Sequence, residues 1–131
     1  MPPFFRPQKP LAESRVALVT TGGVHLPDDT RFDIDDPRGD CSYREIPHDA
    51  TALTWTHAYY RPNEDTDLDA VFPLSTLKQL VEDGFVREAN YRHFSFMGAI
   101  HDPETLVTST APEVTGKLID DSVDAVLLTP S

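Results

Sequence analysis

RVALVTTGGVH, residues 15–25, is the stretch that decides the fold. Val16–Thr20 is a continuous run of apolar and β-branched residues. Continuous runs of this kind, unlike alternating ones, mark strands covered on both faces, as in parallel sheets. Gly22 and Gly23 break the strand, and His25 follows them. A second such run, Val123–Leu128 in VDAVLLTPS, lies at the far end of the sequence. Both runs are expected in the interior of a parallel sheet.

The segments between them alternate in type. TALTWTHAYY (Thr51–Tyr60) is rich in Thr, Trp and Tyr and reads as a strand. PLSTLKQLVEDGF reads as a helix, with Ser75 as its cap, Leu77, Leu80 and Val81 on one face, and Gly84 in the left-handed position beyond its end. HFSFMGA (His93–Ala99) reads as a strand followed by a glycine turn. TAPEVTGKLIDD reads as a second helix: Thr110 and Glu113 have capping-box spacing, Pro112 lies in the first turn, and Val114, Leu118 and Ile119 face inward. Residues 26–50 hold seven Asp, three Pro and one Gly and read as a long surface loop. Apolar strands alternating with amphipathic helices imply an α/β fold, a parallel-sheet, flavodoxin- or Rossmann-like three-layer domain.

The chain has 131 residues, enough for one core. Residues 1–14 are a Pro-rich N-terminal arm in which Phe4 and Phe5 either pin the arm to the body or to a partner, or leave it a partly ordered tail; residues 15–131 form the domain. The net charge is −11, from 22 acidic and 11 basic residues. That argues against nucleic acid or an anionic membrane as partner, since both need clustered Lys and Arg. No apolar run reaches 18 residues and no secretory signal is visible, so no membrane span is expected. Cys41 is the single cysteine, which excludes an intrachain disulfide and fits a cytoplasmic location.

In parallel α/β sheets, ligands bind outside the carboxyl ends of the strands. That rule picks out Gly22, Gly23 and His25 after the first strand, His57 late in the second, Met97 and Gly98 after the third, and Thr129–Ser131 after the last. The two glycines let a ligand approach the backbone and His25 places an imidazole beside it; the plainer reading is a tight strand exit with an exposed histidine. His25, His57 and His101 together suggest a metal, but no HxH or HExxH spacing supports one, and none is expected. The acidic stretches DIDDPRGD and EDTDLD lack the EF-hand offsets and read as solvated loops. Cys41 has only Arg38 and Arg44 as basic neighbours and reads as structural. No Ser-His-Asp signature, P-loop or GxGxxG is present.

Six segments in order, VALVTTGGVHL, DCSYREIP, THAYY, DLDAVFPLSTLKQLVEDGFV, HFSFMGA and APEVTGKLIDDSVDAVLLTP, resemble the selenoprotein B family. That family comprises the substrate-binding selenoproteins of the glycine, sarcosine and betaine reductases and the small selenocysteine subunit of D-proline reductase. The compact length is closer to the last. The resemblance implies an oxidoreductase subunit for reductive C–N cleavage of a small amine or amino-acid substrate by selenolate attack on the α-carbon. It implies two partners, a pyruvoyl-bearing reductase subunit and a thioredoxin-type thiol or selenol reductant. It implies that a selenocysteine, or a cysteine, follows the strand matching Val123–Leu128, with a second cysteine shortly after. Neither is present, and Cys41 matches neither. An in-frame UGA read as a stop, leaving an N-terminal fragment that does not catalyse alone, is therefore expected. By position Gly22, Gly23 and His25, with His57 and Gly98, line the substrate cleft, and His25, expected near the end of the chain, serves as proton donor to the departing amine or stabilises the selenolate as an imidazolium. The competing readings are a non-catalytic α/β binding or regulatory domain, and a metal-binding domain built on the histidines.

Overall fold

The computed structural model describes residues 6–57 and 67–130. Its centre is β1 (Arg15–Thr20), where Ala17, Leu18 and Thr20 are wholly buried. β7 (Ala125–Thr129) runs parallel to β1 along one edge, in register from Val16↔Ala125 to Thr20↔Thr129. The other edge is shared by two short parallel pieces, β5 (Glu88–Ala89) and β6 (Arg92–Phe96). β5 pairs Val16 with Ala89, whereas β6 pairs Val19 with Phe94, so two extra residues are inserted between the registers. β3 (Tyr43–Pro47) lies outside β6 and antiparallel to it. β2 (Val24–His25) and β4 (Thr54–Trp55) form a separate antiparallel ribbon.

Two helices cover opposite faces. α1 (Leu74–Glu82) buries Leu74 and Leu77 against Val16, Leu18, Ile46, Trp55 and Phe72. α2 (Ala111–Asp120) buries Val114, with Leu118 beside it, against Phe94, Phe96 and Val19. Alternate residues of β1 serve the two clusters, as strand geometry requires. The result is a small α/β domain of three layers around a mostly parallel sheet.

Several expectations are corrected. The Val123–Leu128 run lies at an edge of the sheet, not in its interior: Val126, Leu127 and Leu128 are 39%, 49% and 70% exposed. Only β1 pairs with it among the described residues, and an apolar run records a tendency to be buried without supplying what covers it. The sheet is not all parallel, because β3 is a strand inside the expected 26–50 loop. It was hidden by its composition: Arg44, Glu45 and Pro47 suit an antiparallel edge, and Ile46 alone in it is buried. Of Thr51–Tyr60 only Thr54–Trp55 forms a strand, outside the main sheet; Ala58–Tyr60 lie outside the described residues, as do Phe4, Phe5 and Ser131.

The helix starts also differ. Asp69, not Ser75, caps α1: its Oδ1 accepts the amide and hydroxyl of Ser75 at 3.0 and 2.7 Å, and its Oδ2 accepts the Thr76 hydroxyl. Thr110 and Glu113 form no capping box. A π-helical turn over Leu106–Thr110 runs straight into α2, and the helical segment begins near Glu104, whose amide bonds Asp102 Oδ1 at 3.2 Å. Leu80 and Ile119, expected inside, are 37% and 70% exposed. Gly84 does adopt the left-handed conformation, at φ +83°.

Candidate functional site

β1, β6 and β7 all deliver their carboxyl ends to one edge of the sheet. There the Thr21 amide donates to the Thr129 carbonyl at 3.1 Å, and the Thr20 hydroxyl lies 3.1 Å from the same oxygen. Gly22 makes a bridge to Met97, and its amide bonds the Thr20 hydroxyl at 3.0 Å. Gly23 donates to the Phe96 carbonyl and accepts from the Thr56 amide, both at 2.9 Å. Its φ is +69°, and a Cβ there would stand 2.1 Å from the Thr56 carbonyl oxygen, so only glycine fits. The glycine pair thus serves a close backbone crossing of three segments.

His25 is not the open imidazole expected. It is buried, its Nδ1–H donates to the Leu26 carbonyl at 2.7 Å, and its Nε2 accepts from the Thr56 hydroxyl at 2.9 Å. Both nitrogens are thereby engaged within the chain. His57 is buried next to Thr56, and that burial pushes its pKa below the ordinary value. Gly98 is half-buried in the turn after Met97. The structure therefore gathers Gly22, Gly23, His25 and Gly98 around one crossing, with His57 beside it. His101 is exposed, in the segment that follows Gly98. Among the described residues no three His, Cys, Asp or Glu side chains assemble into a metal-binding group.

The same edge holds a feature the sequence did not reveal. The loop after Asp33 and the segment after Met97 are clamped together. Gly39, at φ +94°, packs so closely that a Cβ would lie 2.7 Å from Ile100 Cα and 2.9 Å from the Ala99 carbonyl oxygen. The Asp102 amide donates to the Arg38 carbonyl at 2.8 Å, and Cys41 Sγ lies 3.6 Å from the Asp102 carbonyl. Between these segments open two polar cavities. One, of about 310 Å³, is lined among others by Asp36, Arg38, Asp40, Cys41, Asp102 and Thr110. The other, of about 210 Å³, reaches Met97, Ala99 and His101. Burial raises the Asp40 pKa, but hydrogen bonds from the Ser42 hydroxyl and the Asp33 and Ser42 amides, with Arg44 nearby, outweigh it and leave the carboxyl below its usual range. Arg44 stacks 4.4 Å over Phe32 and donates to the Thr30 carbonyl, tying the loop to β3. The only sign of this in the sequence was the segment DCSYREIP, which carries Asp40, Cys41, Ser42 and Arg44.

Over 132 aligned positions, 98% of its length, the chain is 36% identical to D-proline reductase subunit gamma of Acetoanaerobium sticklandii. The two are related. The chain spans about half of that relative, 53% of its length. No family model and no solved structure matches the chain. The similarity to that subunit agrees with the resemblance read from the six segments. Among the described residues no helix is long and apolar enough to cross a membrane.

Proposed function

We propose that these residues form the part of a gamma-type reductase subunit that builds the carboxyl-edge cleft, in an enzyme that reductively opens D-proline or a related small amine. The observation that carries this reading is the 36% identity over almost the whole chain to D-proline reductase subunit gamma. The position of β7 supports it. The resemblance implies a selenocysteine or cysteine soon after this strand, and β7 ends at the edge where Gly22, Gly23 and Met97 meet.

In that reaction the chalcogen anion attacks the substrate α-carbon, the C–N bond breaks, and the departing amine takes a proton. One thiolate of a thioredoxin-type dithiol then attacks the chalcogen, the chalcogen–carbon bond breaks as the carbon takes a proton, and the second thiol attacks the sulfur of the mixed bond, leaving a disulfide and the chalcogen anion. A pyruvoyl group on a partner subunit would hold the substrate amine. This chain's own residues position the edge. Thr20 and Thr21 hold the end of β7 through the Thr129 carbonyl, and the glycines keep the crossing free of side chains. His25, with both nitrogens bonded, holds the Gly22–Gly23 turn against Thr56; it would reach a substrate only through the Thr56 hydroxyl. His57 and Gly98 complete the wall.

The test is a chimera in which residues 1–131 replace the matching part of the A. sticklandii subunit, assayed with the remaining reductase subunits for D-proline-dependent dithiol oxidation. Turnover supports the reading. A chimera that folds and assembles yet turns over no D-proline would leave the chain a binding domain without this chemistry.

A further inference from the structure

The two edges of the sheet are built differently. β3, at one edge, carries Arg44, Glu45 and Pro47, the charges and proline that keep an edge strand from recruiting another. β7, at the other, reads Ala-Val-Leu-Leu-Thr, with no charge, proline or bulge across its five residues. Its apolar side chains are uncovered on both faces. Leu127, in register with Leu18, lies on the α1 face and is 49% exposed. Val126 and Leu128, in register with Ala17 and Val19, lie on the α2 face and are 39% and 70% exposed. An unguarded edge with apolar residues on both sides is the signature of a strand made to be interior.

We propose that β7 is the docking edge for the additional chain that the gamma-type subunit carries, which lays a further parallel strand along it. This rests on the reading under Proposed function. The matched relative has nearly as much chain again beyond what these residues span, the amount that a further strand and its helices need. Handedness specifies where the covering helix goes. The path from β1 to β6 steps one way across the sheet with α1 on one face, and the path from β6 to β7 steps the other way with α2 on the opposite face. Parallel crossovers are right-handed in nearly all proteins. A strand continuing outward from β7 repeats the second step, so its helix lands on the α2 face, over Val126 and Leu128. Leu127 is then covered from the α1 face by a different segment.

Hydrogen exchange on the 131-residue chain and on the chimera described above tests this. In the chain alone, the β7 amides that β1 does not bond should exchange rapidly. In the chimera they should slow by roughly a hundredfold or more, as expected when an edge becomes interior. Leu128→Asp should leave the melting of the 131-residue chain nearly unchanged and abolish the added protection in the chimera. Unprotected β7 amides in the chimera overturn the proposal, and so does a chimera whose added part gains no structure by circular dichroism. Protection in the chain alone, with a dimer in sedimentation, would make a second copy the occupant and also overturn it. Exchange is read without activity: a protected but inactive chimera defeats only the functional reading, and an active one with β7 unprotected defeats only this one.

Discussion

The backbone N–H of Leu18, in the centre of β1, donates to Nδ1 of His93 on β6 at 2.9 Å. The insertion between β5 and β6 takes a carbonyl out of the ladder at this point, and an imidazole supplies the acceptor. Because Nδ1 accepts, the ring proton is on Nε2, which bonds His48 Nδ1 at 2.9 Å. Burial, then His48 and Lys78, press the pKa of His93 down to about 3. The unfolded chain protonates this histidine near 6.5 and the folded chain does not. Its stabilisation is therefore complete above that value and declines as pH falls from about 6.5 toward 3, by about 1.4 kcal/mol per unit. Urea unfolding at intervals from pH 7 to 4.5 should show this slope. In His93→Phe the slope should shrink, and the orphaned Leu18 amide should cost about 1–3 kcal/mol at pH 7.

Asp121, at the end of α2, ties the helix to the sheet. Arg92 grips both of its oxygens at 2.8 Å, Asn90 donates at 2.8 Å and Tyr91 at 3.0 Å. The Arg92 bonds, chiefly, hold its pKa at about 2. This contribution is present above the ordinary carboxyl value and is lost as pH falls below about 4, a window distinct from that of His93. Asp121→Ala should destabilise the fold by about 3 kcal/mol, the low end for breaking a buried pair, since Arg92 retains Glu45 at 3.1 Å. Thermal melting at pH 7 measures it.

Three glycines should respond differently to alanine. Gly39→Ala forces a Cβ into the Ala99–Ile100 backbone and should open the clamp, costing well over 1 kcal/mol and perturbing the amide signals of residues lining the larger cavity. Gly84→Ala meets no atom within 4 Å and should cost only about 1 kcal/mol for its left-handed backbone. Gly116→Ala, in open space inside α2, should stabilise by roughly 0.5–1 kcal/mol.

His25→Ala removes two hydrogen bonds from a buried crossing and should cost about 1–3 kcal/mol of stability. In the active chimera a positioning role predicts a raised KM for the substrate with the pH profile of kcat unchanged in shape. Loss of the acid-dependent limb, with turnover down roughly 10²–10⁴-fold, would instead make His25 the proton donor.

Much of this was legible in single segments. β1 announced itself by five apolar or β-branched residues in a row, α1 by its spacing and Gly84, and the break after β1 by its glycine pair. β3 was not legible, because Arg44 and Glu45 make sense only once β6 is known to lie beside them. Nor was the Asp102 start to the second helix: the spacing of Thr110, Pro112 and Glu113 pointed to a start at Thr110, whereas the helical segment begins near Glu104 and passes through the π-turn.

The sequence by itself determined β1, the bodies of the two helices, the α/β class and the similarity to the reductase subunit, because periodicity, breakers and motif order are properties of neighbouring residues. Tertiary structure decided what each element faces. It buried His25 and engaged both its nitrogens, joined the Asp36–Ser42 loop to the segment after Met97 through Gly39, and put the most apolar C-terminal strand at an uncovered edge. Burial and partnership are set by what arrives from far along the chain. A residue's own chemistry states only what it would favour when that arrives.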